Sequence, residues 1–147
     1  MNGYTLRIAN WQNDSAALRA IREAVFIHEQ GIPPELEWDE TDASCLHVLA
    51  MDSAGKPIGT ARLLRDGSVG RMAVLKDWRG KGVGSALVHC LLREARNRQI
   101  KQIGLNAQTH AVGFYLKFGF QTVGGEFLDA AIPHVRMILR LSADMVE

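Results

Sequence analysis

Arg79-Gly80-Lys81-Gly82-Val83-Gly84-Ser85 puts three glycines and two cations where a strand pattern, Gly70 to Val74, gives way to a helix pattern from about Gly84 to Asn97. Alternate glycines let the backbone turn so that successive N–H groups converge. The amides and positive dipole end of the following helix add to that field, so the stretch suits an anion, a phosphate above all. Read without its surroundings it is a tight turn before a helix start. Two better-known phosphate loops do not fit. A P-loop needs Gly, four residues, Gly, Lys and Ser or Thr, and no such run is present. A dinucleotide fingerprint would place Gly or Ala where Leu87 stands, and no acidic residue between Glu94 and Glu126 is available for a ribose hydroxyl.

Outward from the loop, the helix carries Val83, Leu87, Leu91 and Ala95 inward, and Ile100 to Ala107 returns as a strand. A strand, helix, strand crossover is right-handed, so the two strands are expected to be parallel neighbours with the loop at their carboxyl ends. Upstream, Tyr4 to Ala9 alternates as a strand. Asn13, Asp14 and Ser15 offer caps for a helix with Leu18, Ile21, Val25 and His28 on one face, ending near Gln30 and Gly31. Pro33 and Pro34 stop it, and the acidic segment to Thr41 reads as a loop or short helix over the site. Cys45 to Met51 and Lys56 to Leu64 form a hairpin around Asp52-Ser53-Ala54-Gly55, and a turn at Arg65-Asp66-Gly67 leads back to Gly70. A short helix from Thr109 to Phe118 and strands over Gln121 to Phe127 and His134 to Leu141 follow. The expected fold is α/β (α+β), a mixed central sheet of six to seven strands with helices on both faces.

At 147 residues the chain is expected to form one domain over residues 1–147. A net charge of +1 and no basic, aromatic-interleaved patch argue against a nucleic-acid partner. Charge is nonetheless unevenly placed. Glu29, Glu35, Glu37, Asp39, Glu40 and Asp42 fall in one stretch without Lys or Arg, whereas bases predominate from Arg71 to Lys101. That asymmetry fits an anionic ligand beside a cationic one, or an ordinary solvated acidic loop. Cys45 and Cys90 read as small buried hydrophobes without metal-ligand spacing, so no metal site and a reducing, cytoplasmic setting are expected. Residues 1–11 lack a signal pattern and no apolar run approaches about 18 residues, so neither export nor a membrane span is expected.

Arg79-x-x-Gly82-x-Gly84, preceded by Arg71, Met72, Ala73 and Val74, resembles the acetyl-coenzyme A loop of the GNAT N-acetyltransferases. Leu105-Asn106-Ala107 is similar to the end of that family's fifth strand, Phe114 to Phe120 to its last helix and turn, and Val135 to Leu139 to its closing strand. Val25 to Gly31 and Ile132-Pro133-His134 further resemble the small ElaA-type acyltransferases. The resemblance implies a sheet splayed at the parallel pair, with the cofactor's pantetheine in the gap. It implies acetyl-coenzyme A as cofactor, held by Met72, Ala73, Val74, Arg79, Gly80, Lys81, Gly82, Val83, Gly84, Ser85, Asn106 and Tyr115. Transfer to the primary amine of a small molecule would follow by direct attack.

By itself Tyr115 could be core packing with Phe114 and Phe118, and Asn106 could merely cap a loop. The resemblance makes Tyr115 the general acid for the departing thiolate. For the amine's proton, Glu126 and His134 are the catalytic candidates, and Glu29, Glu126 and His134 the substrate-side ones; Glu126 could equally be an edge-strand charge and His134 a structural hydrogen-bonder. Glu29 and His110 are further candidates for that base. An acetyl-coenzyme A sensor without transfer, and acetylation of a protein N-terminus or lysine, stay open. So does a homodimer.

Overall fold

The computed structural model describes residues 3–141. Seven strands form two sheets. The first has the order β1-β2-β3-β4, from Tyr4–Ala9 (β1), Leu46–Asp52 (β2), Pro57–Leu63 (β3) and Val69–Val74 (β4). The second has the order β5-β7-β6, from Gln102–Gln108 (β5), Gln121–Asp129 (β6) and Ile132–Arg140 (β7). Within both sheets every ladder is antiparallel. The expected parallel pair, β4 and β5, meets only at the Ser68–Gly104 bridge, where the Gly104 N–H donates to the Gly67 carbonyl at 3.0 Å. The splay expected there begins at once.

Alternation along the strands divides the core between two faces. Val48, Ala50 and Ile58 pack with Val83, Leu87 and Leu91 of α3 (Val83–Asn97), and all four inward positions expected of that helix are buried. Leu49 points the other way and joins Leu18, Ile21, Val25 and Phe26. Leu18 and Ile21 lie on α1 (Trp11–Arg22), so helices do cover both faces. α2 (Pro34–Glu37) and α4 (Val112–Leu116) are short. Among the described residues no helix is long and apolar enough to cross a membrane.

Two local expectations are corrected. α1 starts at Trp11 because the Asn10 side chain caps it, accepting from the N–H groups of Gln12 at 2.8 Å and Asn13 at 3.2 Å. Asn13, Asp14 and Ser15 lie inside the helix. His28 is exposed although it continued the apolar face. The reason is that residues Glu23–Glu29 form a π-helix, whose wider turn rotates the later side chains and buries Phe26.

Candidate active site

Beyond the Ser68–Gly104 bridge a cleft of about 740 Å³ opens between the sheets, bordered by Met72, Ala73 and Val74 of β4, Asn106 of β5 and Tyr115 of α4. Its shape comes from a bulge. Arg71 takes φ +50°, and the β3–β4 register skips between Thr60 and Arg62. The break in alternation lets consecutive residues from Gly70 to Val74 all border the cleft. The Leu75 N–H donates to Ile58 of β3 at 2.9 Å, so strand alternation turns the Val74 and Met72 N–H groups toward the open edge.

At one end of this edge lies the glycine loop. Gly80 and Gly82 adopt φ +77° and +89°, the left-handed region that glycine tolerates, and Gly82 is the N-cap of α3. None of the N–H groups from Gly80 to Ser85 is taken by the protein's own hydrogen bonds among the described residues. Together with the helix terminus they form a concentrated donor site for an anion. The Lys81 ammonium lies 5.1 Å from the centre of the Trp78 ring. Arg79 donates through Nε to the Val74 carbonyl at 2.9 Å, and through Nη1 and Nη2 to the two Glu29 oxygens at 2.6 and 2.7 Å. Its hydrogen bonds hold the Glu29 carboxyl below the ordinary range.

Across the gap, the Tyr115 hydroxyl donates to the Met72 sulfur at 3.8 Å. Its ring packs edge-on against Phe114 and Phe120, with centroids 5.0 and 5.8 Å away. Burial pushes the phenol up to about 12, so at neutral pH Tyr115 remains a donor. Gly84 supports this arrangement, since a Cβ there would come within 3.3 Å of the Phe114 ring. Asn106 sits in the interior of β5, opposite Arg136, rather than capping a loop.

The domain model for "Acetyltransferase (GNAT) domain" matches residues 13–141. The chain belongs to the GNAT acetyltransferases. The Bacillus subtilis N-acetyltransferase YjcF, itself uncharacterized, is 40% identical over 122 residues, which cover 80% of this chain and 86% of that one. Escherichia coli ElaA superimposes with a TM-score of 0.82 at 28% identity, covering 91% of this chain and 98% of ElaA. An acyl-CoA N-acyltransferase from Pseudomonas aeruginosa gives 0.81 at 27% identity, covering 92% and 98%.

In this GNAT acetyltransferase, His134 lies at the far side of the cleft and stacks on Phe127. Its Nδ1–H donates to the Ile132 carbonyl at 2.7 Å, which leaves Nε2 of the neutral ring as the accepting nitrogen. Glu126 is not brought to the cleft. It is exposed in the stretch of β6 that loses register with β7 between Val123 and Phe127; Asp129 and Ala130, at the end of the same hairpin, border the cleft instead. Glu29 does reach it, as the partner of Arg79.

The acidic segment is mostly spoken for. Arg22 binds Glu37 at 2.7 Å and Asp42 at 2.8 Å, while Arg62 binds Asp39 and Asp42, each at 2.8 Å. These carboxylates form a near-neutral lattice with arginines remote in sequence, not an open acidic surface for a cation. Cys45 and His47 come within 4.8 Å of Asp42 although their spacing gave no such sign. Two guanidinium groups already occupy Asp42, and His47 Nε2 is bonded to the Asp42 carbonyl at 2.8 Å. A metal cation would have to displace those contacts. Sequence reasoning also missed a polar chain along the cleft: Gln108 donates to Gln30 at 2.9 Å and lies 2.8 Å from His110.

Proposed function

We propose that this GNAT chain is an acetyl-coenzyme A-dependent N-acetyltransferase acting on the primary amine of a small molecule by direct attack. The observation that carries this reading is the splayed gap, with unpaired amides along one side and at its end and the buried Tyr115 hydroxyl facing Met72 across it. The free N–H groups from Gly80 to Ser85, with Lys81, fit a pyrophosphate, and the open edge of β4 at Met72 and Val74 fits an amide-bearing arm. Acetyl-coenzyme A, when bound, would supply the activated acyl carbonyl and a thiol leaving group.

The chain's own groups then have separate tasks. A backbone N–H at the bulge of β4 donates to the carbonyl oxygen as negative charge grows there, a contribution of about 3 kcal/mol for one such donor. Tyr115 gives its proton to the departing sulfur. His134, whose Nδ1–H is held by the Ile132 carbonyl, lines the cleft as a hydrogen-bonding group on the substrate side. The cleft volume suits a small acceptor.

The test is Tyr115→Phe, which preserves the aromatic packing and removes the proton. Acetyl-coenzyme A affinity is expected to stay unchanged while turnover, followed as thiol release with a panel of amines, falls at least about tenfold. Unchanged turnover removes Tyr115 from the mechanism. Tight binding by the wild-type protein without thiol release from any amine favours a sensor instead.

A further inference from the structure

Glu37 is the second most deeply buried carboxylate of the acidic lattice, 2% exposed, yet it borders the active-site cleft. It is held from several sides. Arg22 of α1 donates from Nε to Oε2 at 2.7 Å and from Nη2 to the Glu37 carbonyl at 3.1 Å. Arg71 of β4 donates to the same carbonyl at 2.9 Å and brings its Nε to 3.3 Å from Oε2. Both cations thus converge on one oxygen. The other, Oε1, has no hydrogen-bond partner among the described residues and is not sealed off from solvent.

The bulge gives this a chemical meaning. Regular alternation would send the neighbours Arg71 and Met72 to opposite faces, but at the bulge both border the cleft. Arg71 carries Glu37, and Met72 faces the Tyr115 hydroxyl. Arg71 and Met72, consecutive residues of the strand whose free amides would bind the acyl carbonyl, thus each hold a group that lines the cleft: the Glu37 carboxylate of α2 and the Tyr115 phenol of α4. We infer that Glu37 Oε1 is the group that accepts the attacking amine's proton, an inference that rests on the transfer reading above. Oε1 takes one proton from the bound ammonium, which frees the nitrogen to form the N–C bond and shed its second proton to water; Tyr115 gives its proton to the sulfur as the C–S bond breaks. Exchange with water restores both groups between turnovers.

The surroundings suit such a base. Burial raises the Glu37 carboxyl above its ordinary range, and this outweighs the opposing pull of Arg22 and Arg71; Asp42, on the neighbouring 3₁₀ turn, adds to the rise. A raised carboxylate is a better base but stops working sooner as pH falls.

The test compares thiol release by the wild-type protein, Glu37→Gln and Glu37→Asp over neutral to alkaline pH with a panel of primary amines, alongside acetyl-coenzyme A affinity and thermal unfolding. For Glu37→Gln we expect a loss of about a hundredfold in turnover at neutral pH with coenzyme affinity kept. That deficit should shrink as pH approaches the amine's own pKa, where free amine needs less help. Glu37→Asp keeps the charge but retracts it, and should fall between the two. A Gln variant within about threefold of wild type, or a deficit constant with pH, overturns the assignment. If the Gln variant does not fold, a Glu37→Asp rate equal to wild type overturns it. No release from the wild-type protein with bound acetyl-coenzyme A overturns the transfer reading and Glu37 together; release with unaffected variants overturns Glu37 alone.

Discussion

At Gly67 the backbone runs at φ +91°, and its carbonyl accepts the Gly104 N–H that joins the two sheets. A Cβ built there would run into the Gln102 carbonyl oxygen, a backbone atom that cannot step aside. Gly67→Ala therefore combines a left-handed conformation, worth about 1–2 kcal/mol, with overpacking worth a similar amount or more. We expect a loss of at least about 2 kcal/mol in urea unfolding; a change under about 0.5 kcal/mol would show that the junction can relax. Residues of this kind were legible from the chain alone. Arg65-Asp66-Gly67 reads as a turn, and Arg79 to Ser85 as a glycine turn opening a helix, because glycine's conformational freedom is a local property. Glu37 was not legible as a site residue, since nothing in Glu35 to Asp42 tells which carboxylate keeps a free oxygen. Only the positions of Arg22 and Arg71 decide that.

Among the elements, the π-helix over Glu23–Glu29 is the one that periodicity misjudged. A 3.6-residue pattern puts His28 inward, and one wider turn sends it out. The same segment ends at Glu29, whose carboxylate grips Arg79 at the mouth of the glycine loop. Both side chains of that pair are about 40% exposed, so the contact is worth no more than about 1 kcal/mol. A pyrophosphate bound at the loop would have to share or take over that guanidinium. Glu29→Gln should accordingly tighten coenzyme A by about two- to fivefold at low salt, measured by calorimetry, with the gain fading as salt rises. Weaker binding would instead make Glu29 a support that aims Arg79 at the ligand. The strands fared better than the π-helix because alternation and turn glycines mark them locally; all seven were anticipated to within a few residues.

For the whole molecule, the lattice of Arg22, Arg62 and Arg71 with Glu37, Asp39 and Asp42 ties α1, α2, β3 and β4 together behind the cleft. Arg22 is 1% exposed and serves two carboxylates. Replacing it by Ala strands buried charge, so Arg22→Ala is expected to cost about 3–5 kcal/mol in denaturant unfolding. A loss below about 1 kcal/mol would mean that Arg62 and Arg71 can take over. This long-range pairing is the part of the design that sequence could not disclose. The acidic stretch reads as a surface beside a cation or as a solvated loop, whereas Glu37, Asp39 and Asp42 find their cations inside the protein.

The single bridge between β4 and β5 has one more consequence. Two half-sheets sharing so short a seam resemble a book held at the bottom of its spine, and among the described residues the pages above are kept in place by the helices packed behind them and by a few side-chain contacts such as Tyr115 to Met72. Whatever lies between them would act as the missing binding thread. On the proposed reading the ligand would finish the architecture as well as react within it, so an apo chain and a loaded one should differ most in how freely one half moves against the other.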